Sequence, residues 1–149
     1  ALKTVEQIDL CQKYNLELTM DDLKSPKVLH SISGAVVARE LFPDYVDDYV
    51  YGAILNHTTG KVGMSLYEKL IYLADYIDDS RRFDDCVKLR NYFWDAHPEN
   101  MSAEQREEHL LRTPLLSFDM TLTSLVTEGS PISAETVSAR NSIILSLKR

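Results

Sequence analysis

Residues 53–83 read AILNHTTGKVGMSLYEKLIYLADYIDDSRRF. Ala53 to Asn56 close an apolar helical run, which Thr58-Thr59-Gly60 breaks and Gly63 extends into a loop. Ser65 followed by Glu68 is a capping-box pattern and predicts a second helix. That helix runs through Leu66, Leu70, Ile71, Leu73 and Ala74 to about Asp78. Asp75 sits inside its apolar run, where a carboxylate is costly unless paired or bound to a cation. No lysine or arginine lies four residues from it; Lys69 is six before and Arg81 six after.

The same punctuation continues outward in both directions. Upstream, Lys27 to Leu41 carries Val28, Ile32, Ala35, Val36 and Leu41 on one face, opens at Pro26 and ends before Pro43. Asp44 is the expected cap of the next helix, through about Asn56, with Val46, Val50, Ile54 and Leu55 facing in. Thr4 to Tyr14 reads as an amphipathic helix capped by Thr4, with Val5, Ile8, Leu10 and Cys11 at helical spacing and Asn15 as its stop. Thr19 to Leu23 predicts a short helical turn. Downstream, Asp84 to Ala96 is amphipathic through Val87, Leu89, Tyr92, Phe93 and Trp94, and His97-Pro98 ends it. Ser102 with Gln105 caps a polar helix, which Pro114 is expected to interrupt, making Leu115 to Thr127 separate. Gly129 and Pro131 turn the chain into a last helix from Ser133 or Ala134 to about Leu147. With no alternating strand pattern and no repeat, the fold class is all-α.

The 149 residues suit one domain with a substantial core. At 44% hydrophobic and 26% charged, the composition is that of a globular protein. A net charge of -7 argues against a nucleic-acid binder, which needs a basic face. It leaves an anionic small substrate open, because a metal ion and local arginines can invert the field. Cys11 and Cys86 are far apart and form no CxxC pair, as expected of reduced thiols in a cytoplasmic protein. No apolar run approaches the roughly 20 residues of a membrane span, and residues 1–9 lack the apolar core of a signal peptide.

His30, His57 and Asp75 fall in three successive helical segments. Imidazoles and a carboxylate meeting between packed helices can hold a metal, and metal plus water means hydrolysis. Each histidine taken alone is more often structural or merely exposed, and a bound metal would need a partner on each remaining ring nitrogen. Asp78, Asp79, Asp84 and Asp85 surround Arg81-Arg82. That cluster is either a solvated loop or a place where an arginine grips a phosphate bidentately. His97 and His109 sit in polar surroundings and carry no assigned role. There is no Gly-rich phosphate loop, HExxH or Ser-His-Asp order.

LHSISGA around His30, then HTTG, GMS and a helix ending in IYLADYI, resembles the YqeK-type branch of the HD-domain phosphohydrolases. Arg81-x-Phe83 and the tail ISAETVSARNSIIL match as well, so the resemblance runs from about Leu10 to Ile144. It implies an all-α HD-domain helical bundle, a two-metal site holding a divalent metal, iron, and a homodimer. It implies symmetrical hydrolysis of diadenosine tetraphosphate to two ADP. By motif match, His30 and His57 would bind one metal and Asp75 would complete the shell of the other. Thr58, Thr59 and Gly60 match a loop near the nucleotide, and Arg81 a residue at the polyphosphate. The implied chemistry is attack of a metal-bound hydroxide on phosphorus, with two metals about 3.5–4 Å apart. Arg81 would stabilise the leaving ADP, with Lys61 or Lys69 as weaker candidates. A different nucleotide substrate, or a non-catalytic domain binding a nucleotide or a partner, are the alternatives.

Two features depart from the family pattern. Asp78-Asp79 stands where the family has Glu-Pro. The family's first histidine and its His-Asp pair have no counterpart before His30, so residues 1–149 read as a single HD-type domain incomplete at its N-terminus. A chain beginning at Ala1 is therefore expected to bind metal weakly and turn over poorly. Comparing its metal content and activity with a chain extended by about 50 residues checks this, and equal activity would refute it.

Overall fold

A computed structural model describes residues 3–20, 23 and 26–148, with nothing said of the side chains of residues 26 and 27. Every α-helix or strand among them is a helix: α1 (Thr4–Lys13), α2 (Pro26–Leu41), α3 (Asp48–Asn56), α4 (Leu66–Ile77), α5 (Asp84–Asp95), α6 (Ala103–Glu128) and α7 (Ala134–Leu147), with one 3₁₀ turn at Pro98–Asn100. The all-α expectation holds. No helix is long and apolar enough to cross a membrane among the described residues.

Packing follows chain order, α1 on α2, α2 on α3, α3 on α4, and then α4, α5 and α6 on one another with α7 on α6. The α2–α3 pair is an antiparallel hairpin. At one end Arg39 of α2 bonds Asp48 of α3 at 2.7 Å and lies 4.0 Å from the Tyr51 ring centre. At the other, His30 of α2 meets His57 just past α3. Cys11, Leu29, Ala35 and Ala53 are buried on this side of the molecule.

Helix α4 joins this half to the rest. Tyr72 and Tyr76 bond the hydroxyls of Ser117 and Thr121 on α6, at 2.7 and 3.0 Å. Both partners advance by four residues, so α4 and α6 run in the same direction here. Burial pushes the Tyr72 phenol far above its usual range, so it remains neutral. Its ring packs on Phe118, centroids 5.0 Å apart, within a core that includes Met64, Leu73, Leu89, Ala139 and Ile143.

The turn after α3 is pinned to this core. Gly60 has φ +66°, and a Cβ there would lie 2.5 Å from Phe118 Cζ. Its N–H donates to the Asn56 carbonyl at 2.8 Å. Thr136 of α7 donates its hydroxyl to the Thr59 carbonyl at 3.1 Å. A second tie is Glu68, whose buried carboxylate is the capping partner of Ser65, accepting from its N–H at 2.8 Å. It also accepts from Asn56 Nδ2 at 3.1 Å and pairs with Lys61 at 2.7 Å. Burial by itself would raise the Glu68 carboxyl, but Lys61 and the Ser65 hydrogen bonds outweigh it and hold the group below its usual range.

Several local expectations are corrected. Pro114 does not end its helix: α6 is continuous through it, and Pro114 is fully buried. The proline removes the N–H that would meet the Leu110 carbonyl and crowds the preceding turn, while its neighbours Thr113 and Ser117 turn their hydroxyls back onto the helix, to the His109 and Pro114 carbonyls at 2.8 and 2.9 Å. Packing on both sides of the proline overrides its local preference. Asp47, not Asp44, caps α3, accepting from Val50 N–H at 2.9 Å. Lys3, not Thr4, occupies the cap position of α1, with its N–H donated to Glu6. Val5 is exposed, and Gln7 is buried alongside Cys11. Asn15 does stop α1, at φ 52°. His109 lies not in polar surroundings but buried, stacked on Tyr92 and Phe93. The turn expected over Thr19 to Leu23 falls partly outside the described residues.

Two stability predictions follow from these ties. Gly60→Ala is expected to cost about 2–4 kcal/mol, because a clash adds to the positive φ, whereas Gly129→Ala, with the same φ and open space, is expected to cost about 1 kcal/mol. Equal midpoints in urea unfolding would refute the steric account. Glu68→Gln is expected to lower stability at pH 7 by about 1–3 kcal/mol. A carboxyl held below its usual value contributes stability above about pH 4.3 and loses it as pH falls through the folded value. The gap between parent and variant should therefore narrow between pH 7 and pH 3, as read by urea unfolding at each pH.

Candidate functional site

His57 is the residue at which α3 ends, and its Nδ1 lies 2.6 Å from the Ile54 carbonyl oxygen. A carbonyl can only accept, so Nδ1 carries the proton and donates it. The other ring nitrogen, Nε2, is then left pointing away from its own helix. His30, in the second turn of α2, sets its Nε2 3.0 Å from that of His57, with the rings edge-on at 73°. The antiparallel hairpin explains the meeting, since the start of α2 lies beside the end of α3. Without an ion, one imidazole donates to the other.

The same geometry fits a divalent metal. Two nitrogens bound at about 2.1 Å and at right angles stand about 3.0 Å apart. The carbonyl behind His57 is the partner that fixes the tautomer and orientation of a ligating imidazole. The Thr58 hydroxyl lies 3.4 Å from His30 Nε2. Thr59 is half-buried and donates its hydroxyl to the Gly60 carbonyl, while Gly60 is covered by Phe118. A cavity of about 210 Å³ borders this turn, lined in part by Ile32, Leu55, Asn56 and Thr59 and by Ser133 and Glu135 of the α7 start. Lys61 is committed to Glu68.

Asp75 and Arg81 form a separate pair. Arg81 Nη2 lies 2.5 Å from Asp75 Oδ1, and both side chains are half-exposed. The carboxylate, costly within an apolar run, thus has a cation, delivered by the loop after α4 rather than by the helix face. Among the described residues, no three His, Cys, Asp or Glu side chains converge to hold an ion. The structure brings His30, His57 and Thr58 together, and Asp75 with Arg81.

The loop between α4 and α5 takes its shape from two groups. Asp78 accepts from the N–H of Ser80 at 2.8 Å and from its hydroxyl. These Ser80 bonds hold the Asp78 carboxyl below its usual range. Arg90 of α5 donates to the carbonyls of Ile77 and Arg81, each at 2.8 Å, and to that of Asp78. Sequence reading missed Arg90 altogether. The available signal was its place one helical turn after buried Cys86, next to buried Leu89. Glu68 was legible as a cap but not as a buried anion.

No family model matches the chain. Among curated proteins it is similar to the symmetrical bis(5'-nucleosyl)-tetraphosphatase of Halalkalibacterium halodurans, with 34% identity over 122 residues, 82% of this chain and 58% of that protein. The Bacillus subtilis protein of the same name is 40% identical over 67 residues, 44% of this chain and 35% of that one. The chain spans just over half the length of the first relative. Among solved structures it is similar to a predicted HD superfamily hydrolase involved in NAD metabolism from Clostridium acetobutylicum, with TM-score 0.80 and 32% identity over 97% of this chain and 69% of that one. Sharing that fold and that level of identity over most of both chains, the protein belongs to the HD superfamily.

Proposed function

We propose that this chain carries part of the active site of a metal-dependent hydrolase that splits diadenosine tetraphosphate symmetrically into two ADP. The observation that carries the reading is the His30–His57 pair, with facing Nε2 atoms 3.0 Å apart and the His57 tautomer fixed by the Ile54 carbonyl. The names of the two curated relatives supply the substrate. His30 and His57 would hold one divalent ion. When bound, such an ion supplies an activated water and neutralises charge on a phosphoryl oxygen. Iron is our choice of metal from the family that the motifs resemble; imidazole nitrogens suit iron among the divalent transition metals.

The other residues have protein-based roles. The Ile54 carbonyl keeps the His57 ring turned towards His30. Asp75 would complete the shell of a second ion. Arg81, half-exposed and reaching out from the α4–α5 loop, would contact the polyphosphate and favour charge developing on the departing ADP. Thr58 lies at the histidine pair, and Thr59 would border the nucleotide beside the 210 Å³ cavity, while Gly60, expected at the nucleotide, is buried beneath Phe118 and shapes the turn.

The test is a substrate panel on the chain extended upstream by about 50 residues: diadenosine tetraphosphate, shorter dinucleoside polyphosphates, nucleoside di- and triphosphates, and NAD. ADP is expected as the sole nucleotide product from the tetraphosphate. His30→Ala and His57→Ala are each expected to cut kcat/KM by about 100-fold or more and to lower metal content in elemental analysis. AMP plus ATP as products, or turnover only of another nucleotide, would overturn the assignment, as would full activity in either variant.

A further inference from the structure

We propose that Arg90 is a positioning residue for Arg81, acting through the backbone of the loop between α4 and α5. The inference deepens the proposed function and rests on it where activity is concerned. The last carbonyls of a helix have no partner within the helix and must find one outside it. In α4 they find Arg90, on the following helix. Its Nε donates to the Ile77 carbonyl at 2.8 Å, and its Nη2 to those of Asp78 and of Arg81, the latter at 2.8 Å. Nε also lies 3.3 Å from Asp79 Oδ1. One guanidinium thereby ties the end of a helix to a residue four positions further on.

The loop shape sets where Arg81 can reach. Arg81 N–H donates to the Asp78 carbonyl at 3.0 Å, so the Arg90 clamp and the turn share an acceptor. From that fixed backbone the Arg81 side chain turns back to Asp75, six residues earlier in the sequence. The Arg90 side chain is only 14% exposed and is spent on backbone carbonyls and Asp79. It is therefore a support and not a substrate contact. Lysine cannot replace it, since an ammonium is a point donor on a flexible stem and lacks the planar fork that reaches separated carbonyls together. Ser80 and Arg90 together hold the Asp78-Asp79 loop in a defined shape by hydrogen bonding.

The test compares Arg90→Lys, Arg81→Ala and the double variant with two readouts, proteolysis of this chain and activity of the chain extended upstream by about 50 residues. Trypsin cleaves after Arg81 and Arg82, so nicking there reports loop order whatever the activity. Arg90→Lys should be nicked at Arg82 about fivefold or more faster than the parent with little change in thermal midpoint, because opening is local. Nicking at the parental rate would overturn the clamp. On diadenosine tetraphosphate, Arg90→Lys should lower kcat/KM by about tenfold, and the same change made in Arg81→Ala should cost less than about twofold, because the two residues act as a unit. Full additivity in an active enzyme would overturn the positioning role and leave the proposed function standing. An inactive parent in the chain extended upstream by about 50 residues would refute the proposed function, and the trypsin comparison would still decide the clamp.

Discussion

The packing of Gly60 beneath Phe118 is the contact on which the rest of the arrangement depends. A left-handed residue without a side chain lets the chain leave α3 tightly enough to touch α6 and α7. Phe118 in turn packs on Tyr72 of α4, and Tyr72 bonds Ser117. One small residue thus brings the end of α3, the middle of α4, the middle of α6 and Ala139 of α7 to a common point. His57 stands three residues before it, so the placement of that imidazole is a consequence of core packing far away in sequence.

The site divides into two electrostatic units with different supports. The histidine pair is oriented by a backbone carbonyl that fixes the His57 ring from its own helix, a short-range device. The Asp75–Arg81 pair is ionic and depends on a loop whose form comes from Ser80 and Arg90. Being half-exposed, that ion pair contributes little to stability and leaves its partners available to exchange for other ligands. Glu68 is the contrasting case. Its carboxylate is buried, met by a lysine, an amide and a helix-capping N–H, and it fastens α3 to α4.

Much of this was legible along the chain. The Ser65/Glu68 and Ser102/Gln105 capping boxes placed two helix starts to the residue, because caps are local chemistry. Asn15 and Gly129 marked helix ends for the same reason, both adopting positive φ. The failures had the opposite character. Pro114 reads as a break, yet buried packing on either side carries α6 through it. His109 looked polar from its neighbours, but those neighbours point elsewhere while the ring stacks on α5. Asp75 has no cation at helical spacing because its partner, Arg81, is delivered by the following loop.

By itself the sequence determined the helical class, most helix boundaries and the motif set around His30, His57 and Asp75, since propensity, capping and spacing are properties of neighbouring residues. Tertiary structure alone decided that His30 and His57 meet at 3.0 Å, that Arg81 rather than a helical neighbour pairs with Asp75, and that Arg90 holds the loop between them. Those facts depend on how an antiparallel hairpin closes and on which carbonyls a buried guanidinium can reach. Both are set by packing between helices, and no local pattern encodes them.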